Sequence, residues 1–197
     1  MEHLIEIRRQ FAHMYGILIV PLAVMFGGRI IGEISFFVAL LIFLYSEYMA
    51  RRRKIRKIIK IRKLYVKEDV FHRFINMFER RGNNYRGAFY FYFSSGITLM
   101  SFSLNVAILS ITVLAIGDSF ATLVGIFGKR KIFFNKSKTW EGAIACFVSS
   151  FIFCFFINPV LAFPAALIGT IVESLPMRMD DNLTMPVITA FGLSLLV

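Results

Sequence analysis

Apolar stretches long enough to reach across a lipid bilayer follow one another through this chain, and they constrain its fold more than any other feature. From Gly87 to Gly128 the only charged side chain is Asp118, and the runs Trp140–Ile157 and Val160–Leu175 carry only Glu141 and Glu173 between them. Backbone amides and carbonyls inside hydrocarbon must be satisfied within the segment, which makes such stretches helical. Composition agrees, since 57% of the residues are hydrophobic and 18% are charged, whereas a soluble domain carries about 25% charged residues. The expected fold is all-α, a polytopic membrane helical bundle of about seven transmembrane helices with cytoplasmic amphipathic helices. Residues 1–197 then form a single integral membrane domain.

In chain order the expected spans are Phe11–Gly27, broken by Pro21, then Ile34–Met49, Gly87–Phe102, Leu104–Gly128, Trp140–Ile157, Val160–Leu175 and Leu183–Val197. Several fall near or below the ~20 residues of a perpendicular span, which predicts a thin, tilted or partly broken bundle. Residues 51–86 stand apart. Arg51 to Lys67 is the densest basic run in the chain, and Ile55, Ile58, Ile59, Leu64, Phe71, Phe74, Ile75 and Phe78 recur at helical spacing among charges, ending at Gly82–Asn84. That pattern predicts interfacial helices against anionic headgroups on the cytoplasmic side. With the basic run inside, Arg29 is the one cation of 23 on the external side, giving a cytoplasmic amino end and an external or lumenal carboxyl end. The opening residues MEHLIEIRRQ lack the layout of a cleavable signal, so the expected mature chain begins at Met1.

Several function classes are disfavoured on the same grounds. The net charge of +11 is concentrated beside an apolar span, which suits membrane lipids and argues against a nucleic-acid partner. Cys146 and Cys154 lie eight positions apart on one expected helix, ~12 Å along its axis, and cannot bridge each other. Cys/His metal spacing is absent. So is a P-loop, because GIFGKR has the wrong spacing and lacks the hydroxyl.

What remains is a set of polar residues at the cytoplasmic ends of the spans: His13, Asp118, Glu141, Glu173, Asp180, Asp181 and Asn182. A carboxylate within a span costs roughly 2.5–3.5 kcal/mol on insertion scales and marks a functional candidate. Asp118 is followed within one loop by Lys129, Arg130, Lys131, Lys136 and Lys138, and then by Glu141. Carboxylates can hold Mg²⁺ while lysines neutralise phosphate oxygens that the metal leaves uncovered. Thr139 is a plausible helix N-cap, and an anion is favoured at such a terminus. The simpler alternatives are an Asp118 ion pair with Lys138 or Arg86 that holds helices together, an ordinary positive-inside loop, and a cap by Asp181 or Asn182.

Five segments, RRQFAHMYG, RGAFYF, GDSFATLVGIFGKRKI, KSKTWEG and ESLPMRMDDNLTMP, together resemble the CTP-dependent polyprenol kinase family, which includes dolichol kinase, phytol kinase and CTP-dependent diacylglycerol kinase. Phosphatidate cytidylyltransferases carry a segment similar to KTWEG, but this chain ends in DDNLTMP where they have a longer signature. The resemblance implies transfer of the γ-phosphoryl group of CTP to a lipid alcohol, a polyprenol, dolichol, phytol or diacylglycerol, at the cytoplasmic face with Mg²⁺. It implies catalytic roles for Asp118, Lys138, Glu141 and Asp181, and metal contacts from Asp118, Glu141, Glu173 and Asp181. Nucleotide contacts would come from Gly117, Ser119, Gly125, Gly128, Lys129, Lys136, Thr139, Gly142 and Asn182, with the glycines permitting close backbone approach. Two alternatives stay open, a lipid-phosphate cytidylyltransferase and a non-enzymatic ion-coupled transporter or membrane scaffold. A homodimer is also left open.

Overall fold

The computed structural model describes residues 2–58 and 85–197. Among them the chain is a bundle of helical rods with one small hairpin. Helix α1 (Glu2–Met14) tightens into a 3₁₀ turn at Tyr15–Leu18 and continues as α2 (Ile19–Phe26). Pro21 therefore falls in the first turn of α2, where its missing N–H leaves no bond unmade. The expected break lies just before the proline and is a change of pitch. Gly27, at φ 93°, turns the chain into α3 (Gly28–Ile58), which runs well beyond the expected Met49. The basic and amphipathic stretch past Ile58, with its expected end at Gly82–Asn84, lies outside the described residues.

The chain resumes at Tyr85, in the left-handed region at φ 60°, and enters α4 (Arg86–Ser101). Next come α5 (Leu104–Thr112), a π-helical turn at Val113–Asp118 and α6 (Ser119–Gly125), which form one continuous rod. Where a plain cytoplasmic loop was expected, β1 (Lys131–Ile132) and β2 (Asn135–Thr139) form an antiparallel hairpin. Helices α7 (Trp140–Ile157), α8 (Pro159–Ser174) and α9 (Asp181–Ser194) complete the bundle. Asn158 caps α8 through its side-chain oxygen, with Pro159 in the first turn.

Among the described residues, four helical stretches are long and apolar enough to cross a membrane: Glu6–Phe26, Gly28–Arg51, Leu104–Gly125 and Trp140–Ile157. Pro159–Ser174 is apolar but shorter. Most residues of the rod Leu104–Gly125 are buried and few of Gly28–Arg51 are, so the former is the axis of the bundle and the latter its rim. Around that axis Leu109, Ile111, Val113 and Leu114 are fully enclosed, along with Met185 and Leu193 of α9. The rim exposes Phe37, Leu40, Leu41, Phe43 and Leu44. Such a continuous apolar face would be a liability in water and is ordinary in lipid. Buried hydroxyls bond back into their own helices, Ser110 to the Val106 carbonyl at 2.8 Å and Thr112 to that of Ile108 at 2.7 Å, which lets hydroxyls sit inside an apolar bundle. Close approach of α6 and α7 depends on Gly142, where a Cβ would meet the Ala121 carbonyl oxygen at 2.8 Å.

Candidate functional site

Four parts of the chain meet at one end of the central rod around a cleft of about 570 Å³. The π-helical turn supplies Asp118. A π turn holds one residue more than an α turn and is a recurrent device for aiming a side chain out of a helix's regular register. Asp118 is 8% exposed, and its Oδ2 lies 3.7 Å from His13 Nε2 of α1. That is beyond hydrogen-bond length, and His13 Nε2 has no hydrogen-bond partner. The His13 ring stands edge-on to Phe91 of α4, with centroids 4.8 Å apart.

Opposite Asp118, β2 delivers Lys138. Its Nζ donates to Glu173 Oε1 at 2.6 Å and to Asp181 Oδ2 at 2.8 Å. Glu173, at the end of α8, is 3% exposed, so its carboxylate sits where an unpaired charge would be costly. Burial disfavours the charge on Lys138, but Asp118, Glu173 and Asp181 outweigh that effect and raise its pKa above the ordinary lysine value. The amine is a permanent cation at neutral pH. The cap of α9 falls to Asp180, whose Oδ1 accepts from the Asn182 N–H at 3.1 Å and the Asn182 side-chain amide at 2.9 Å. Neither Asp181 nor Asn182 caps the helix, contrary to the simpler sequence reading, and Asp181 is thereby free to reach Lys138.

The hairpin is fixed in place from both sides. Asn135 Nδ2 donates to the Ser174 carbonyl at 3.0 Å, and Asn135 Oδ1 accepts from the backbone and hydroxyl of Ser137. Thr139 caps α7 as its sequence position implied, accepting from the Gly142 N–H at 3.2 Å.

Of the residues singled out from sequence, Asp118, Lys138, Thr139, Glu173, Asp181, Asn182, Gly125 and Gly142 all line the cleft. Others point elsewhere. Glu141 lies outside the lining, and its carboxylate accepts from the backbone N–H groups of Lys129 and Arg130 at 3.1–3.3 Å, which makes it a clasp on the loop. Ser119 is fully buried and bonds to the Ala115 carbonyl at 2.7 Å and the Gln10 carbonyl at 3.4 Å; it ties α1 to the central rod. Gly117 abuts α7, where a Cβ would meet Ser150 Oγ at 2.3 Å, so its lack of a side chain serves helix packing. Gly128 is packed on Thr139. Lys129 and Lys136 are exposed and do not line the cleft. Among the described residues, no three His, Cys, Asp or Glu groups converge as a ready-made metal site. The acids of the cleft are shared out, with Glu173 and Asp181 on Lys138 and Asp118 beside His13.

The cleft also holds Arg9 and Glu6 of α1, to which the sequence reading gave no role in a site, and Lys131 of β1, which it counted only among the cations of the loop. Arg9 bonds Glu6 through both Nε and Nη2. Its signal was available, because Arg9 and His13 stand four apart on one helix and so share a face. Lys131 could be told from its basic neighbours only once the hairpin was known.

A protein of Methanocaldococcus jannaschii named uncharacterized protein MJ1137 is 31% identical to this chain over 94% of it and 91% of the archaeal sequence. The chain belongs to the family of that protein. Plant proteins give a second, partial likeness. A probable phytol kinase 1 of Oryza sativa is 31% identical over 46% of this chain and 35% of its own length, and phytol kinase 1 of Arabidopsis thaliana is 31% identical over 43% and 34%. The chain thus spans about a third of the length of the phytol kinases it matches. No family model and no solved structure matches it.

Proposed function

We propose that the chain is a CTP-dependent lipid-alcohol kinase of the polyprenol and phytol kinase type, acting at the cytoplasmic surface of a membrane that it crosses seven times as a single domain. The observation that carries this reading is Lys138, held between Glu173 and Asp181 in a cleft that Asp118, Arg9 and Lys131 also line. The partial likeness to phytol kinases supports the choice of a hydroxyl acceptor.

Phosphoryl transfer asks for positioning and charge neutralisation more than for covalent help from the protein. Lys138, Lys131 and Arg9 are the cations of the cleft and would engage the triphosphate. Asp118, which is bonded neither to Lys138 like Glu173 and Asp181, nor to Arg9 like Glu6, nor to a helix start like Asp180, would take the hydrogen bond of the incoming hydroxyl. The hydroxyl oxygen bonds to the γ-phosphorus as the bond to the β–γ bridging oxygen breaks; CDP leaves, and the hydroxyl proton passes to a carboxylate or to water. Magnesium commonly takes one or two protein carboxylates and fills its other positions with phosphate oxygens and water, a demand that Asp118 with Asp181, both lining the cleft, would fit although no larger acid cluster is present among the described residues. Bound with the nucleotide, it would supply further charge neutralisation. Glu141 and Thr139 act indirectly, by holding the loop and the start of α7.

The test uses the purified full chain in lipid nanodiscs with CTP labelled on the γ-phosphate. Phytol, a polyprenol, dolichol and diacylglycerol are offered in turn, with the other nucleoside triphosphates as competitors. Label appearing on the lipid with release of CDP supports the proposal. Pyrophosphate and a CDP-lipid would identify a cytidylyltransferase instead, and no turnover with any pair would overturn an enzymatic reading.

A further inference from the structure

The cations that the cleft leaves outside have a different setting. Lys129, Arg130 and Lys136 are exposed, and the one acid between Ile126 and Gly142 is Glu141, whose carboxylate is taken up by the backbone N–H groups of Lys129 and Arg130, so the cations outnumber it three to one. At the tip between β1 and β2, Phe133 is 81% exposed and Phe134 43%, their rings edge-to-face with centroids 4.8 Å apart. Phe127 and Trp140, also exposed, flank the hairpin's base. Hairpin loops in water favour Asn, Asp and Gly, and a pair of phenylalanines there calls for apolar surroundings. The tip is held in position, because Ile132 is 1% exposed and Asn135 is bonded to the end of α8.

Connectivity fixes the level of this hairpin. It joins Leu104–Gly125 to Trp140–Ile157, two helices each long and apolar enough to cross a membrane, so it lies where both leave the bilayer on the same side. We propose that the hairpin tip is a membrane-interface anchor: Phe133 and Phe134 enter the headgroup and upper acyl region of the adjacent leaflet while Lys129, Arg130 and Lys136 engage the phosphates of anionic phospholipids. Aromatic tips ringed by basic residues suit that boundary, apolar on one side and negatively charged on the other. A second copy of this chain is the poorer occupant, since a two-fold contact would set these cations against themselves. The anchor does not depend on what the cleft catalyses.

The protein contains one tryptophan, so Trp140→Phe with Phe133→Trp places a single indole at the tip. The full chain is reconstituted in nanodiscs of phosphatidylcholine with phosphatidylglycerol, their acyl chains brominated near the headgroup. The expected result is blue-shifted emission that loses most of its intensity to the brominated lipid. Adding Lys129→Gln, Arg130→Gln and Lys136→Gln should return quenching to the weaker level of phosphatidylcholine alone. Phe134→Trp in the same background repeats the measurement at the neighbouring position. Water-like emission indifferent to bromine at both positions would overturn the anchor, as would a blue shift that appears only when two copies share one disc.

Discussion

Lys138 Nζ lies 2.6 Å from Glu173 Oε1 and 2.8 Å from Asp181 Oδ2, so one amine on a hairpin fastens the end of α8 to the start of α9. The same bonds that hold the fold together keep two carboxylates neutralised at the cleft, and structural and chemical roles must be separated by experiment. Lys138→Met should abolish turnover and cost about 2–3 kcal/mol of stability, the lower part of the range for breaking a buried ion pair because Lys138 and Asp181 are partly solvated. Combining it with Glu173→Gln should recover much of the thermal stability and none of the activity. If the double variant were active, Lys138 would be a strut only.

The raised pKa of Lys138 fixes the sign of a pH effect. A group whose folded pKa exceeds its unfolded value of about 10.4 stabilises fully below that value and loses the contribution as pH rises through the folded one. The clamp should therefore hold unchanged across neutral pH and weaken only in strong alkali. Amine acylation at pH 9, read site by site by mass spectrometry, should be many-fold slower at Lys138 than at exposed Lys136. Equal rates would contradict the ion triad.

Asp118→Asn keeps the shape and removes the charge. Loss of one group aimed at the reacting centre costs on the order of 10²–10³-fold in rate, and turnover should fall by about that factor. Thermal stability should fall only modestly, because Lys138 loses one nearby charge but keeps its two bonded partners, Glu173 and Asp181. A large loss of stability with activity retained would make Asp118 a structural partner of His13.

Glu141→Ala, which removes the acceptor altogether, tests the clasp on the loop. The backbone amides of Lys129 and Arg130 should exchange with deuterium faster, while those within β2, from Asn135 to Thr139, keep most of their protection. Nucleotide KM should rise more than kcat falls, since the group touches the loop and not the cleft. Unchanged exchange at both amides would dismiss the clasp.

Gly142→Ala sets a methyl against the Ala121 carbonyl, an atom of the backbone that cannot rotate away. Overpacking of this kind costs about 1–3 kcal/mol. The variant should unfold at a lower temperature, and nucleotide affinity should weaken with it because Thr139 caps the same turn. Full stability would mean that α6 and α7 can separate freely.

Much of this arrangement was legible in the sequence because lipid leaves few choices. The apolar runs could only be helices, and Asp118 stood out because its surroundings made it expensive. Thr139 was readable as a cap from its place before WEG. The roles of Asp180 and Asp181 were not, since adjacent acids at a helix start are equivalent until the turn's geometry gives one the backbone and the other a distant amine. The hairpin escaped notice because Lys131–Ile132 is too short to display alternation and the basic loop already had a sufficient explanation as a topological signal. Ser119 and Gly117 were grouped with the site for a related reason. Next to Asp118 in sequence, they look like part of one site, yet on a helix successive side chains point in different directions, and these two face other helices.

The π turn at Val113–Asp118 carries a consequence for how this chain can tolerate change in length. The wide turn closes its circle with one residue more than an α turn, so removing one residue here lets the rod relax to ordinary pitch with everything beyond it facing as before. The same loss within Leu104–Thr112, with the wide turn kept, would revolve hairpin, lysine and α7 by about 100° relative to α1 and α9. The turn is a slack link in the rod, a place where the chain can shed a residue without swinging the lysine away from its acids.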